Sequence, residues 1–423
     1  MNLSTEKLEG KITESSKYGV WSIYNGGDYF KRKEPLGFWE ILEENPITSS
    51  ILEILPSANK NGYLIDKSYS ATNFLSVNRN KNFSYWKSSD LIIRNIKKLN
   101  EIGERKFFQK IKDVSINLES YDKIITKKPN YQDYVKITNL MMKKRKEVKT
   151  YEKKFFDQWI LMYKFNDKIS MSFQNFKKII PPKDRFWADP FVLYRDNQYY
   201  VFFEEFLNKK GYISFIHIDE QGNYSTSKKV LERPYHLSYP FIFNFDDQLY
   251  MIPESQSKKT IELYKCIDFP SKWQFEKILF KNLDAVDTTL FFHKDKWWLF
   301  TGVRTNDKLQ SWDDLFLFYS DNPINENWSS HSLNPIITDL RKSRPAGKIF
   351  EKNNAIFRFA QNSSYGYGGG LSINEIEKIN DEEYVEREIE SFLPKWDEKI
   401  TGIHTLNYDN GLTVIDSKLQ RKL

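Results

Sequence analysis

A hairpin of two apolar runs recurs five times along this chain, and that recurrence limits what the chain can fold into. The first copy is Trp187-Ala188-Asp189-Pro190-Phe191-Val192-Leu193-Tyr194, a short turn, and Tyr199-Tyr200-Val201-Phe202-Phe203-Glu204-Glu205. Leu237-Ser238-Tyr239-Pro240-Phe241-Ile242-Phe243 turns at Asp246-Asp247 into Leu249-Tyr250-Met251-Ile252-Pro253-Glu254-Ser255. Val286-Asp287-Thr288-Thr289-Leu290-Phe291-Phe292 turns at Lys294-Asp295 into Trp297-Trp298-Leu299-Phe300-Thr301-Gly302, and looser copies begin at Ser343-Arg344-Pro345-Ala346 and Ile403-His404-Thr405-Leu406. Runs of β-branched and aromatic residues bounded by Asp, Asn and Lys turns read as strands paired in hairpins. Two strands cannot bury both of their faces alone. Copies spaced by about 50 residues, each with room for four strands, predict a propeller whose sheets pack face to face around an axis. Third strands are visible at Gly211-Tyr212-Ile213-Ser214-Phe215-Ile216, Thr260-Ile261-Glu262-Leu263-Tyr264-Lys265 and Asp314-Leu315-Phe316-Leu317-Phe318-Tyr319.

Aligning the copies places Asp189, Tyr239, Asp287, Arg344 and His404 at one register point of five inner strands. A core strand favours Val or Ile there, so five polar groups predict a shared polar cavity at the propeller mouth. Glu204 and Glu254 each fall 15 residues beyond their own register residue, which sets both carboxylates at one height of adjacent blades. Carboxylates crowded in a partly dry cavity have pKa values driven apart, so one stays a proton donor while another is ionised. Glycosidic chemistry needs such a set: a base or nucleophile on one side of the sugar ring, an acid on the other, and an oxocarbenium-like transition state between. The catalytic candidates are therefore Asp189, Glu254 and Asp287, and the substrate-binding candidates are Glu204, Glu205, Tyr239, Arg344, His404 and Gln361. A rival reading, in which the acids only tie blades together through backbone amides, stands beside this one.

Phe186-Trp187-Ala188-Asp189-Pro190-Phe191, Phe202-Phe203-Glu204-Glu205, His236-Leu237-Ser238-Tyr239-Pro240, Ile252-Pro253-Glu254-Ser255, Ser343-Arg344-Pro345-Ala346-Gly347 and Gly402-Ile403-His404-Thr405-Leu406-Asn407 occur in that order. Together they resemble the propeller shared by bacterial formyltransferase-fused proteins and plant glucosamine inositolphosphorylceramide transferase. The Ala-Asp-Pro opening is also similar to the five-bladed propeller glycosidases of the arabinanase, xylosidase and invertase type. That second likeness implies a base at Asp189 and an axial His, matched by His404, that helps hold water or a cation. Glu254 and Asp287 correspond to the glycosidase acids by position only.

Upstream, residues 18–103 read as a small α/β unit. Gly19-Val20-Trp21-Ser22-Ile23-Tyr24, Ser49-Ser50-Ile51-Leu52-Glu53-Ile54-Leu55 and Gly62-Tyr63-Leu64-Ile65-Asp66 have strand character, and Ser88 to Leu99 has the spacing of an amphipathic helix. The order resembles the second half of a formyltransferase domain, but Tyr24 stands where that family has its catalytic His, and a phenol cannot take up a proton near pH 7. Asn59-Lys60-Asn61 also lacks the acid expected before Gly62. No formyl transfer is predicted, and the unit reads as a dimerisation or docking surface. Residues 104–156 turn basic and helical, with Lys143-Lys144-Arg145-Lys146 at their centre; they suit a solvated linker or a patch for anionic headgroups. Without interleaved aromatics they do not suit nucleic acid.

The sequence therefore predicts a mainly β chain: a truncated formyltransferase-like domain over 1–103, a basic helical linker over 104–156, and a five-bladed β-propeller over 157–423. A net charge of +7 and a pI near 8.9 favour anionic partners mildly. The single Cys266 fits a reducing compartment, and the first ten residues lack an apolar signal core, so a cytoplasmic protein is expected. The five His residues share no metal-ligand spacing, and neither metal nor cofactor is expected. Residues 366–370, though Gly-rich, read as a hairpin turn rather than a phosphate loop. Glycosyl transfer is favoured, with a sugar donor and a glycan or glycolipid acceptor as partners; glycoside hydrolysis and non-catalytic glycan binding remain open.

Overall fold

The structure, a computed structural model, describes all residues except 2–7, 9, 27–30, 33–34, 56–61, 116–123 and 126–127. Asn59-Lys60-Asn61 and most of the first ten residues thus lie outside the described residues. The chain divides into two compact units: Met1–Glu152 with Thr305–Leu309, and Lys153–Arg304 with Gln310–Leu423.

In the first unit, strands Trp21–Gly26, Ile47–Ile54 and Tyr63–Ala71 form an antiparallel sheet with Ile47–Ile54 at its centre. Helix Val77–Ile102 starts at Ser76, whose hydroxyl accepts from Arg79 N. Its Leu91 packs with Trp21, Leu52 and Ile54 and with Phe107 and Ile111 of helix Glu104–Ser115. Helix Tyr131–Glu152 seats Ile137 and Met141 against Phe38 and Trp39. The stretch expected as a linker therefore supplies two helices to the core of the first unit, because its apolar residues recur at helical spacing on one side. Tyr24 is buried in the sheet against Ile51 and Leu55.

The second unit is a five-bladed propeller. Blade one runs inner to outer as Arg185–Arg195, Gln198–Leu207, Lys210–Ile218 and Lys228–Leu231; blade two as Ser238–Phe245, Gln248–Ser255, Thr260–Asp268 and Lys272–Lys281. Blade three uses Ala285–His293, Lys296–Val303, Leu315–Ser320 and Ser329–Ser330; blade four Phe350–Lys352, Ala355–Asn362, Gly370–Ile379 and Tyr384–Phe392. The last blade draws on both ends of the unit: Leu412–Lys422 pairs with Leu406–Asp409 on one side and with Phe155–Phe165 on the other, and Lys177–Ile179 lies outermost.

The inner hairpins share one turn chemistry. Asp196-Asn197, Asp246-Asp247, Lys294-Asp295, Asn353-Asn354 and Asn410-Gly411 all have positive φ at both positions. That is the two-residue turn whose twist matches the flanking strands, and Asn, Asp and Gly tolerate it best. Aromatic and branched side chains fill the spaces between blades. Phe191 and Tyr239, for example, join Phe241, Ile252 and Leu290 across blades one to three.

Candidate active site

Three of the five register residues adopt a left-handed backbone conformation. Asp189, Tyr239 and Asp287 have φ of 52°, 42° and 51°. Each sits where the pairing of the first two strands slips, between Ala188 and Phe191, Ser238 and Phe241, and Val286 and Thr289. An extra residue of this kind re-aims its side chain away from the ladder. Asp189 accordingly reaches two other blades: Oδ1 accepts from Thr405 Oγ1 at 2.9 Å, and Oδ2 from Tyr239 N at 3.3 Å. The same device recurs around the axis, with Asp416 Oδ2 accepting from Asp189 N at 2.9 Å and Glu254 Oε2 from Asp287 N at 3.3 Å. The acids thus join blade to blade, as the rival reading expects, while their free edges crowd one space.

Asp287 is 1% exposed and is held by side-chain donors from two residues. Arg344 Nε lies 2.5 Å from its Oδ2, Arg344 Nη2 3.3 Å from its Oδ1, and Gln361 Nε2 2.8 Å from Oδ2. Arg344 Nη2 also stands 3.5 Å from Glu254 Oε2. Burial is the main force lifting Glu254 well above the ordinary carboxyl range; Asp287 adds to it and Arg344 opposes it. Burial likewise raises Glu204, with Asp189 and Glu254 adding their charge. Asp189 is pushed up to about 6 by burial, against the pull of His404, with Asp287 and Asp416 adding to the rise. The cluster therefore combines carboxyls raised by burial with a guanidinium-clamped Asp287, the asymmetry that acid and base chemistry at one centre requires.

His404 is held from three sides. Asp416 Oδ2 lies 2.5 Å from its Nδ1, Asp189 Oδ1 3.7 Å from its Nε2, and the ring of Trp159 stacks on it at 4.0 Å. Burial works against a charged imidazole here, but Asp416 and Asp189 outweigh it and raise its pKa. Among the described residues, Asp189, His404 and Asp416 are the group whose donor atoms lie close enough together for one metal ion, all within 4.8 Å. The set fits a metal poorly, because its atoms are already engaged: Asp416 Oδ1 accepts from the amides of His404 and Thr405, and Oδ2 from Asp189 N.

Two candidates stand elsewhere. Glu205 faces the other side of its strand from Glu204, as alternation dictates. Its oxygens take Arg185 Nη1 at 2.9 Å and Ser214 Oγ at 2.8 Å, a tie along the blade. The phenol of Tyr239 is fully buried and is bonded to Thr289 Oγ1 and Gly347 N, both at 2.8 Å, so it belongs to the wall rather than the opening. Conversely, Asp416, Thr405 and Trp159 sit in the cluster without having been expected there. So does Tyr367, 37% exposed in the Gly-rich turn, whose ring lies over the Arg344 guanidinium at 5.0 Å and edge-on to His404 at 5.3 Å.

Glu204 has its own setting beside the cluster. Gly211 N donates to His236 Nδ1 at 3.0 Å, which places the neutral ring's proton on Nε2, 3.3 Å from Glu204 Oε1. A side chain at Gly211 would not fit, since its Cβ would lie 2.6 Å from Glu204 Oε1, His236 Cε1 and Leu237 O.

Residues 176–407, which hold nearly all of this cluster, match the family model described as Glucosamine inositolphosphorylceramide transferase 1, N-terminal. The chain belongs to that family. Glucosamine inositolphosphorylceramide transferase 1 of Oryza sativa subsp. japonica is 32% identical over 206 residues, and that of Arabidopsis thaliana 31% over 209. Each match covers 48% of this chain and 27% of the plant protein, so this family member spans about a quarter of its curated relatives' length. Among solved structures, an α-L-arabinanase of Cellvibrio cellulosa complexed with arabinohexaose is 14% identical with a TM-score of 0.41, covering 56% of this chain and 91% of its own. A family 117 glycoside hydrolase from Zobellia galactanivorans is 11% identical with a TM-score of 0.40, covering 62% and 90%.

Proposed function

We propose that this chain is a carbohydrate-active enzyme, a glycosyltransferase of cell-surface polysaccharide or glycolipid synthesis, with its sugar bound on the propeller axis. The observation that carries the reading is the asymmetric carboxyl cluster. Glu254, raised by burial, stands 3.5 Å from the same Arg344 that clamps Asp287, and Asp189, pushed up to about 6, lies on the adjacent blade. In the proposed reaction the bond from the anomeric carbon to its leaving oxygen breaks as a new bond to an acceptor hydroxyl forms. Asp189 takes the hydroxyl proton, Glu254 supplies one to the leaving oxygen, and Asp287 stabilises the oxocarbenium-like charge between them. Arg344 gives Nε and one Nη2 hydrogen to Asp287 and reaches Ser311 Oγ through Nη1 at 3.5 Å, so its part is to hold that carboxylate and lend its remaining edge to an anionic donor. Tyr367, partly exposed at the mouth, supplies aromatic surface for a sugar ring.

The family relatives named as transferases support the direction of this assignment. Their glycolipid product class suits an acceptor at an anionic membrane face, with the basic helix Tyr131–Glu152 as the approaching surface on the cytoplasmic side. Among the described residues no helix is long and apolar enough to cross a membrane.

The test is turnover and binding of nucleotide sugars by the full chain, with and without a glycolipid acceptor, in the parent and in Asp189→Asn. Transfer from one nucleotide sugar that Asp189→Asn abolishes is the expected result. Rate should rise with pH through about 6, where Asp189 loses its proton. Sugar release from a synthetic glycoside without any nucleotide would make the protein a hydrolase. Sugar affinity that survives Asp189→Asn, with no turnover of any donor, would make it a binding module.

A further inference from the structure

The opposite end of the propeller carries a second pocket. A cavity of about 380 Å³ lies between blades four and five, where the inner strands run into the turns at Asn353-Asn354 and Asn410-Gly411. Its size is that of a small-ligand site, and its composition is too, being apolar with a few polar groups. Ile169, Phe350, Phe359 and Leu406 form the apolar wall, and Lys348 lines it beside them.

Lys348 is held firmly. The preceding Gly347 has φ of 131°, and a Cβ there would lie 2.0 Å from Leu406 O, so the backbone passes blade five at the closest approach it can make. Gly347 N donates to Tyr239 OH and Lys348 N to Asn407 Oδ1, at 2.8 and 2.9 Å. Yet no hydrogen bond or ion pair is made by the half-buried Lys348 ammonium among the described residues. Burial lowers its pKa, and Asp409 only partly opposes this. The ammonium is open to the pocket without a protein acceptor, so an anionic group delivered by a ligand would give it one. Three lysines, Lys168, Lys348 and Lys352, line the pocket against two carboxylates, Asp167 and Glu351, and Glu351 already faces His293 at 3.3 Å.

We propose that this pocket binds an amphiphilic anion, with its carboxylate or phosphate on Lys348 and its apolar body against Ile169, Phe350 and Phe359. The site lies at the far end of the inner strands from Asp189 and is independent of glycosyl transfer.

The test uses the full chain and reads no turnover. Amine-selective acylation with limiting reagent, followed by peptide mass spectrometry, measures each lysine with octanoate, octyl phosphate, octan-1-ol or inorganic phosphate present. Octanoate or octyl phosphate should slow labelling of Lys348 at least tenfold and leave the lysines of helix Tyr131–Glu152 unchanged; the stronger of the two identifies the head group as carboxylate or phosphate. In parallel, the same anions should raise the thermal midpoint of the parent but not of Lys348→Met. The proposal fails if neither anion protects Lys348, if octanol or inorganic phosphate alone protects it equally, or if the thermal shift persists in Lys348→Met. Should that variant not fold, the labelling of the parent decides alone.

Discussion

Replacing Asp189 by Asn should stabilise the propeller at alkaline pH while abolishing the proposed transfer. Burial raises the Asp189 carboxyl from 3.8 to about 6 in the folded protein. The proton is thus held more tightly folded than unfolded, so this group's contribution to stability is complete below pH 3.8 and is lost as pH climbs through 6. At 1.36 kcal/mol per tenfold change in proton affinity, the rise from 3.8 to about 6 means that the ionised carboxylate costs on the order of 3 kcal/mol above pH 7. Asn carries no charge to desolvate, and its amide can keep both contacts, with Oδ1 accepting from Tyr239 N and Nδ2 donating to Thr405 Oγ1. The gain is smaller than the full 3 kcal/mol, because His404 loses a charged neighbour 3.7 Å away. For a unit of this size each kcal/mol moves the midpoint by about 2–4 °C. Thermal unfolding of parent and variant at pH 8 and pH 4 reads the effect directly, as a higher midpoint for the variant at pH 8 and near equality at pH 4. A difference independent of pH, or a variant less stable at pH 8, would refute the claim that Asp189 is ionised at a cost.

Arg344→Leu should be more damaging, since it leaves Asp287 buried without its guanidinium; a loss of about 3–5 kcal/mol in denaturant unfolding is expected. Gly211→Ala forces a Cβ into backbone and side-chain atoms at 2.6 Å and should cost about 1–3 kcal/mol by the same measurement. Tyr367→Ala removes a partly exposed ring from the mouth, so folding stability should hold while glycan affinity, measured by calorimetry, falls about fivefold, near the 1 kcal/mol of an aromatic contact.

Much of the axis was legible because a repeated hairpin allows alignment. Asp189, Asp287, Arg344 and His404 stand where apolar residues would otherwise recur, and the structure brings all four to one centre. The turns were legible for the same reason, as paired Asn, Asp and Lys positions. Sequence spacing alone placed Tyr239 with the others, but its long side chain reaches past the opening into the wall between blades. Glu205 was drawn in by adjacency to Glu204, where strand alternation argues against it. Asp416 carried a signal that went unread, a carboxylate inside Leu412-Thr413-Val414-Ile415, a run that otherwise reads as core. Trp159 and Tyr367 had none, since one comes from a strand far upstream and the other from a turn whose lean toward the axis no local pattern encodes.

The strands that shut the ring also complete the site. Phe155–Phe165 supplies Trp159, Leu412–Lys422 supplies Asp416, and the two pair along their full lengths across nearly the whole propeller sequence. Contacts so distant in the chain form late, because the entropy of closing a long loop must be met before they stabilise anything. During synthesis Trp159 and the first four blades emerge before His404 and Asp416, so the fifth blade gains its imidazole and its carboxylate only when the last strand has been made. Until then the contacts of Asp287 with Arg344 and Gln361 and of Arg344 with Glu254 can form among blades two to four, while the half of the cluster built from Asp189, His404 and Asp416 has to wait for the final strand.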